Sequence, residues 1–356
     1  MPLILKLLAL CCYFVSLHCL AIPPAMTQAS PLYHPTPALS PQDLAIIVND
    51  NEPLSQQIAD YYRQQRHIPL EQVIHIRLPA HRTTLSPGEF ERIRQQVETK
   101  TPKQVQAYLL TWLQPFRVDC MSITTAFAIG FDPAFCAEGC QQTRKSPYFA
   151  SEATRPFDKH GWRPTMMLGA STLTEAKALI DRGVSADYSQ PKGSAYLLKT
   201  ADQARSSRAM AFGKIAETFN PFWPVHYLEQ DSIAGHDDVM FYFTGLVSVP
   251  HLKDNRFLPG AIADHLTSAG GILSGSDQMS LVEWLKAGAT ASYGAVIEPC
   301  NFPAKFPNPA VVLYFYLRGS SLIEAYWKSV EQPGQGIFVG EPLAKPFAYP
   351  AKPQKP

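Results

Sequence analysis

Short apolar runs alternate along this chain with longer segments in which apolar residues recur every three or four positions. LAIIVN (44–49) is apolar throughout, as suits a strand covered on both faces. PLSQQIADYYRQQRHI follows with Leu54, Ile58, Tyr61, Tyr62 and Ile68 near helical spacing and Pro53 at the start; VIHIRL (73–78) then alternates and ends at Pro79. Strand, helix, strand is a βαβ unit, which implies parallel strands joined by a right-handed crossover. Ser86, Pro87 and Glu89 open a second helix as cap, first residue and capping-box acid.

The alternation continues. AYLLTWL (107–113), SAYLLKT (194–200), DVMFYFTG (238–245) and ASYGAVIEPC (291–300) carry strand patterns, TMMLGA (165–170) and GAIADHL (260–266) are further apolar runs, and GIFVGEPLAKPF (336–347) follows the last helix. LTEAKALIDRGV, RAMAFGKIAETF, SLVEWLKAGA and a segment with Leu322, Ala325, Tyr326 and Val330 on one side carry helical patterns. The expected fold class is α/β, a mostly parallel sheet flanked by helices. No flexible linker divides residues 42–347, so one large domain is expected there, with residues 120–161 as an irregular, cysteine-bearing insertion and 348–356 as a tail.

The amino terminus departs from this pattern. MPLILKLLALCCYFVSLHCLA has one Lys6, an apolar run from Leu7 to Val15 and small residues before Ile22, the proportions of a secretory signal peptide cut after Ala21. The run is too short for a membrane span, which needs about 20 apolar residues. A proline-rich arm fills residues 22–41. The expected location is secreted or periplasmic.

Charge narrows the partners. The chain has 31 basic and 30 acidic side chains, and removal of Lys6 balances them. A neutral chain without a basic stripe is a poor match for nucleic acid. Of seven cysteines, Cys120, Cys136, Cys140 and Cys300 follow the signal, and in an oxidising compartment they are expected to form two disulfides of undetermined pairing. CAEGC lacks the spacing of a zinc site, and GHDD (235–238) reads as a polar turn as well as it reads as a metal site. No cofactor and no metal are expected.

The candidate chemistry gathers at strand ends, where open α/β sheets bind ligands, in three loops: TGLVSVPHL after Phe243, ADHLTSAGG after Ile262 and EPCNFPAKFP after Ile297. In PGAIADHLTSAGG, Asp264, His265, Thr267 and Ser268 fall within five positions and Gly270 and Gly271 close the stretch. His265 is a candidate acid or base, Ser268 a candidate nucleophile, and Glu298 a carboxylate held at the end of the next strand. Asp264 and His265 point to opposite sides if the strand runs through both. No GxSxG elbow surrounds Ser268, and Asp264, Thr267, Gly270 and Gly271 are better expected to bind an anion or a sugar. Cys300 is either a thiolate activated by His265 or half of a disulfide. Glu298 and Asp264 together are the carboxylate pair that glycoside chemistry needs.

PGAIADHLTSAGG, EWLKAGATASYGAVIEPCNFPAKFPNP, EAYWKSVEQPGQGIFVGEPLAKPF and CMSITTAFAIGFD resemble an uncharacterised family of secreted bacterial proteins found in species with the exosortase sorting system for proteins bearing a PEP-type signal. The resemblance covers nearly all of residues 42–347 and implies envelope or exopolysaccharide biology rather than a reaction. The chain ends AYPAKPQKP, so an accompanying protein is expected rather than a sorted substrate. A more distant resemblance is to gingipain-type cysteine peptidases, which implies a caspase-like three-layer architecture. Those peptidases carry a histidine and a cysteine at the ends of two successive strands; here the corresponding positions read Thr244-Gly245-Leu246 and Asp264-His265-Leu266, without the dyad.

Two functions follow as expectations. One is a binding or accessory protein for an envelope polymer, peptide or glycan. The other is an active hydrolase of peptide or glycan that uses His265 with Glu298, Ser268 or Cys300.

Overall fold

The computed structural model describes residues 37–79, 81–137 and 140–350. The expected signal peptide, most of the proline-rich arm and the last six residues of the tail lie outside them.

The first βαβ unit is β1 (Leu44–Asn49), α1 (Pro53–Arg66) and β2 (Val73–Ile76), and β1 and β2 are parallel. β2 stops earlier than VIHIRL suggests because the Asn49 carboxamide oxygen accepts the Leu78 N–H at 3.0 Å, which turns the chain out of the ladder. β3 (Thr84–Leu85) precedes α2 (Pro87–Lys100), whose capping box forms: the Ser86 hydroxyl accepts the Glu89 N–H, and Glu89 accepts the Ser86 N–H. After β4 (Ala107–Leu110), short β5 (Arg117–Val118) and β6 (Met121–Ser122) join β3 in a three-stranded sheet.

The segment expected to be irregular holds α3 (Ile123–Ile129) and α4 (Pro156–His160). α3 packs on β4 and on two further strands, β7 (Thr165–Met167) and the last strand of the chain. It is buried on nearly every side, so no polar face marked it as a helix in the sequence.

α5 (Leu173–Ala186) leads to β8 (Ser194–Lys199), and a 3-10 turn over Arg205–Ala211 runs into α6 (Phe212–Phe219). Then come β9 (Val225–Glu229), β10 (Val239–Gly245), β11 (Phe257–Leu266), α7 (Val282–Ala287) and β12 (Ala291–Ala295). α8 (Pro309–Leu317), α9 (Leu322–Lys328) and β13 (Gly336–Gly340) complete the order. β9 and α8 carry no pattern that singled them out; α8 is apolar along nearly its whole length.

The main sheet has ten strands in the order β2-β1-β4-β7-β13-β12-β11-β10-β8-β9. Every neighbouring pair is parallel except β12 and β13. That one antiparallel pair divides the sheet into two parallel halves of opposite direction. Carboxyl ends of β1, β2, β4, β7 and β13 therefore meet at one edge, and those of β8 to β12 at the other.

Helices cover both faces, giving a three-layer α/β/α arrangement. α1 packs on α5, and the Arg182 guanidinium of α5 donates to the Leu285 carbonyl of α7 at 3.2 Å, so these three share a layer. α8 packs on α9 in the other layer, where Trp327 stacks on Phe338 of β13 at a centroid distance of 4.3 Å and Phe90 of α2 meets Phe127 of α3 edge-on at 5.1 Å. A single apolar core runs through both halves.

Candidate functional site

β10, β11 and β12 are neighbours, so the three loops singled out in the sequence do leave the same edge of the sheet. Their polar residues do not gather into one cluster. β11 continues through Asp264, His265 and Leu266, which sends the acid and the imidazole to opposite faces.

Asp264 faces the layer of α8 and α9. Its Oδ1 lies 2.6 Å from Arg208 Nη2, with both side chains buried, and its Oδ2 accepts the Tyr326 hydroxyl at 3.2 Å. Burial pushes the Asp264 carboxyl up, and the Arg208 charge opposes it. Arg208 also donates to the carbonyls of Thr244 (2.7 Å) and Pro307 (3.0 Å), so it ties the end of β10 to the loop that follows β12.

His265 faces the other layer and is completely buried. Trp284 of α7 donates its indole N–H to His265 Nδ1 at 2.9 Å. An indole only donates, so the ring proton sits on Nε2, which donates to the Met279 carbonyl at 3.1 Å. Burial pushes the imidazole down to about 3. A neutral ring with both nitrogens engaged inside the chain has no position left for a substrate proton.

The rest of the stretch is engaged in the same way. Thr267 donates to Gln278 Oε1 at 2.6 Å and accepts the Arg205 Nε–H at 3.1 Å. Gly270 and Gly271 lie against Gly294 of β12; a Cβ on Gly271 would sit 2.5 Å from the Gly294 carbonyl oxygen. Gly271 and Gly294 permit this close approach, whereas a Cβ on Gly270 would meet only the Thr267 methyl, at 3.1 Å, and the His265 ring. Ser268 is half-buried, and Glu298 is exposed with Oε1 accepting the Cys300 N–H at 2.7 Å. GHDD is a structural turn: the Tyr196 hydroxyl lies 2.9 Å from His236 Nδ1 and donates to Asp238 Oδ1 at 2.7 Å, while Ser194 donates to Asp238 Oδ2. Among the described residues, no three His, Cys, Asp or Glu side chains are placed to hold a metal ion.

The cysteines form two pairs, Cys120–Cys136 and Cys140–Cys300, with Cα separations of 5.5 and 5.2 Å. Cys300 is thus bridged rather than free, and its sulfur is not a nucleophile in this state. The second bridge holds residues 140–149 beside the loop 300–309.

Between those two segments and the start of α6 opens a cavity of about 380 Å³. Phe149, Phe302, Phe306 and Ile215 supply apolar walls, Arg208 reaches it from the sheet, and Asn308 lies at its rim. Next to it the Lys305 amine is buried without a hydrogen-bond partner, 5.1 Å from the Phe302 ring, and burial lowers it to about 8. Arg208, Phe149 and Phe302 were not apparent as site residues in the sequence, because three distant segments supply them. The proximity of Cys300 to NFPAKFP was the one available signal.

No family model matches the chain, and neither a curated protein nor a solved structure matches it. Among the described residues no helix is long and apolar enough to cross a membrane. Two disulfides fit an oxidising, extracytoplasmic compartment.

Proposed function

We propose that the protein is a secreted or periplasmic binding protein, an accessory to an envelope or exported polymer, built on a caspase-like scaffold that lacks the peptidase dyad. One observation carries this reading. Three of the groups that could run a hydrolysis at the β10–β12 edge are engaged within the chain, Asp264 by Arg208, His265 by Trp284 and Met279, and Cys300 by Cys140, which leaves Ser268 and Glu298 without the imidazole or the thiol. Beside them lies an aromatic cavity in the size range of ligand sites, roughly 300–1,000 Å³. Aromatic walls with a few polar groups at the rim suit a peptide side chain or the C–H face of a sugar.

The test separates binding from turnover. Purified protein is incubated with casein peptides and with peptidoglycan and exopolysaccharide fragments; calorimetry reads binding and mass spectrometry reads cleavage. Binding without products, weakened about tenfold or more by Phe302→Ala or Phe149→Ala, supports the proposal. Products that vanish in His265→Ala or Glu298→Ala would establish the hydrolase instead.

A further inference from the structure

The reversal of the sheet gives it two carboxyl edges, and the second edge has a crevice of its own. β1 passes the chain through α1 to β2 on one side, whereas β4 passes it through α3 to β7 on the other. The carboxyl ends of adjacent β1 and β4 therefore form a topological switch point, where open α/β sheets bind ligands. The other half has an equivalent point between β8 and β10, and there the chain fills it. Thr200 Oγ1 donates to the Gly245 carbonyl at 2.6 Å, and the Arg205 carbonyl lies so close to Gly245 that a Cβ could not fit. Between β1 and β4 the Thr111 hydroxyl likewise bridges to the Ile47 carbonyl (3.1 Å) and to Ser55 (2.7 Å), yet beside this bridge a cavity of about 440 Å³ remains.

The end of β1 and the three loops at this edge supply its walls: Asn49 at the end of β1 and Glu52 after it, Pro79 and His81 after β2, Leu113 and Gln114 after β4. The loop that follows β11 reaches across from the other half, where Ser274 accepts the Gln114 Nε2–H at 2.8 Å and closes the rim. Asn49 is only 2 % exposed. Its Oδ1 accepts the N–H groups of Asn51 (3.2 Å) and Leu78 (3.0 Å), and among the described residues its Nδ2 has no hydrogen-bond acceptor. Asn49 lines the cavity, where that N–H can donate to a ligand.

We propose that this cavity is a second binding site, for a neutral, hydroxyl-rich ligand of the size of one or two sugar rings. Donors and acceptors alternate around it: the Asn49 amide donates, the Glu52 carboxylate accepts, and Gln114 and His81 do either. Leu113, Leu273, Pro53 and Pro79 provide the apolar surface that ring C–H groups need. Among the described residues no lysine or arginine lines the cavity, and the Glu52 carboxylate repels anions, so acidic ligands are disfavoured.

The experiment uses the full secreted chain and four probes: maltose, cellobiose, chitobiose and digalacturonate, followed by saturation-transfer NMR and calorimetry. At least one neutral disaccharide is expected to bind in the millimolar range or tighter. Glu52→Gln and Gln114→Ala are each expected to weaken that binding about tenfold. Both side chains are partly exposed, and a thermal melt verifies that each variant folds. Phe302→Ala, in the other cavity, should leave this affinity unchanged, which separates failure here from failure of the first proposal. The inference is overturned if no neutral disaccharide binds, if Glu52→Gln and Gln114→Ala bind as the parent does, or if digalacturonate binds most tightly.

Discussion

Arg208 and Asp264 stand 2.6 Å apart with 4 % and none of their side chains exposed. Arg208 belongs to the turn before α6 and Asp264 to β11, so the pair fastens a covering layer to the sheet behind the aromatic cavity. Removing one partner strands the other charge out of water, which typically costs about 3–5 kcal/mol. Arg208→Met is therefore expected to lower the urea midpoint sharply. The double variant Arg208→Met/Asp264→Leu should recover most of the loss, because an apolar pair has no charge to strand. If the single variant is as stable as the parent, the pair is not what holds the layer.

His265 gives a pH dependence whose sign is fixed by its burial. Its folded value of about 3 lies below the roughly 6.5 of an exposed histidine, so between those values the unfolded chain binds the extra proton. Stability contributed by neutral His265 is thus complete above about pH 6.5 and is lost as pH falls toward 3. The loss should be on the order of 1 kcal/mol per pH unit within that window. Urea titrations at pH 7 and pH 5 would show it as a larger drop for the parent than for His265→Asn. Equal drops in the two proteins would mean that His265 is accessible and protonates in the folded state.

What the sequence revealed and what it hid follow from the same physics. Strands such as LAIIVN and the box at Ser86 and Glu89 were legible because their signals are local: an unbroken apolar run, a cap and an acid three residues on. The opposite facing of Asp264 and His265 was legible too, since period two is a property of any strand. The reversal at β12 and β13 was not. GIFVG reads the same whichever way it runs, and only its long-range partners Ala291 to Ala295 set its direction. The cavities were hidden for a related reason. Phe149, Phe302 and Arg208 share no neighbourhood in the chain, and Glu52, which reads as an unremarkable residue before a helical proline, acquires its place only when β4 comes to lie beside β1.

Gly294 of β12 tests the structural account of the glycines at the end of PGAIADHLTSAGG. A Cβ there would collide with the backbone of Gly270 and Gly271, which cannot yield as a flexible side chain would. Gly294→Ala is expected to cost about 1–3 kcal/mol, the usual price of overpacking a filled interior. It should also raise hydrogen exchange at the Gly271 amide, which donates to the Ala295 carbonyl at 2.9 Å. If Gly294→Ala leaves stability and exchange alone, the backbone at Gly270 and Gly271 does not approach Gly294 this closely.

The Cys140–Cys300 bridge decides both the chemistry and the shape of the aromatic cavity. It closes a long segment of chain, 160 residues apart in sequence, and holds the strand of residues bearing Gln142 and Phe149 against the one bearing Phe302. Loss of such a crosslink costs roughly 2–5 kcal/mol. Alkylation of the unreduced protein followed by peptide mapping should label neither cysteine. Cys140→Ser/Cys300→Ser should fold less stably and lose ligand binding at the aromatic cavity, because two of its walls are then held only by weaker contacts. Binding of neutral disaccharide at the β1–β4 crevice, which no part of this bridge touches, should survive in whatever fraction folds. Rapid alkylation of Cys300 in the untreated protein would have the opposite meaning: a free thiol at the strand end, and a reason to test it as a nucleophile.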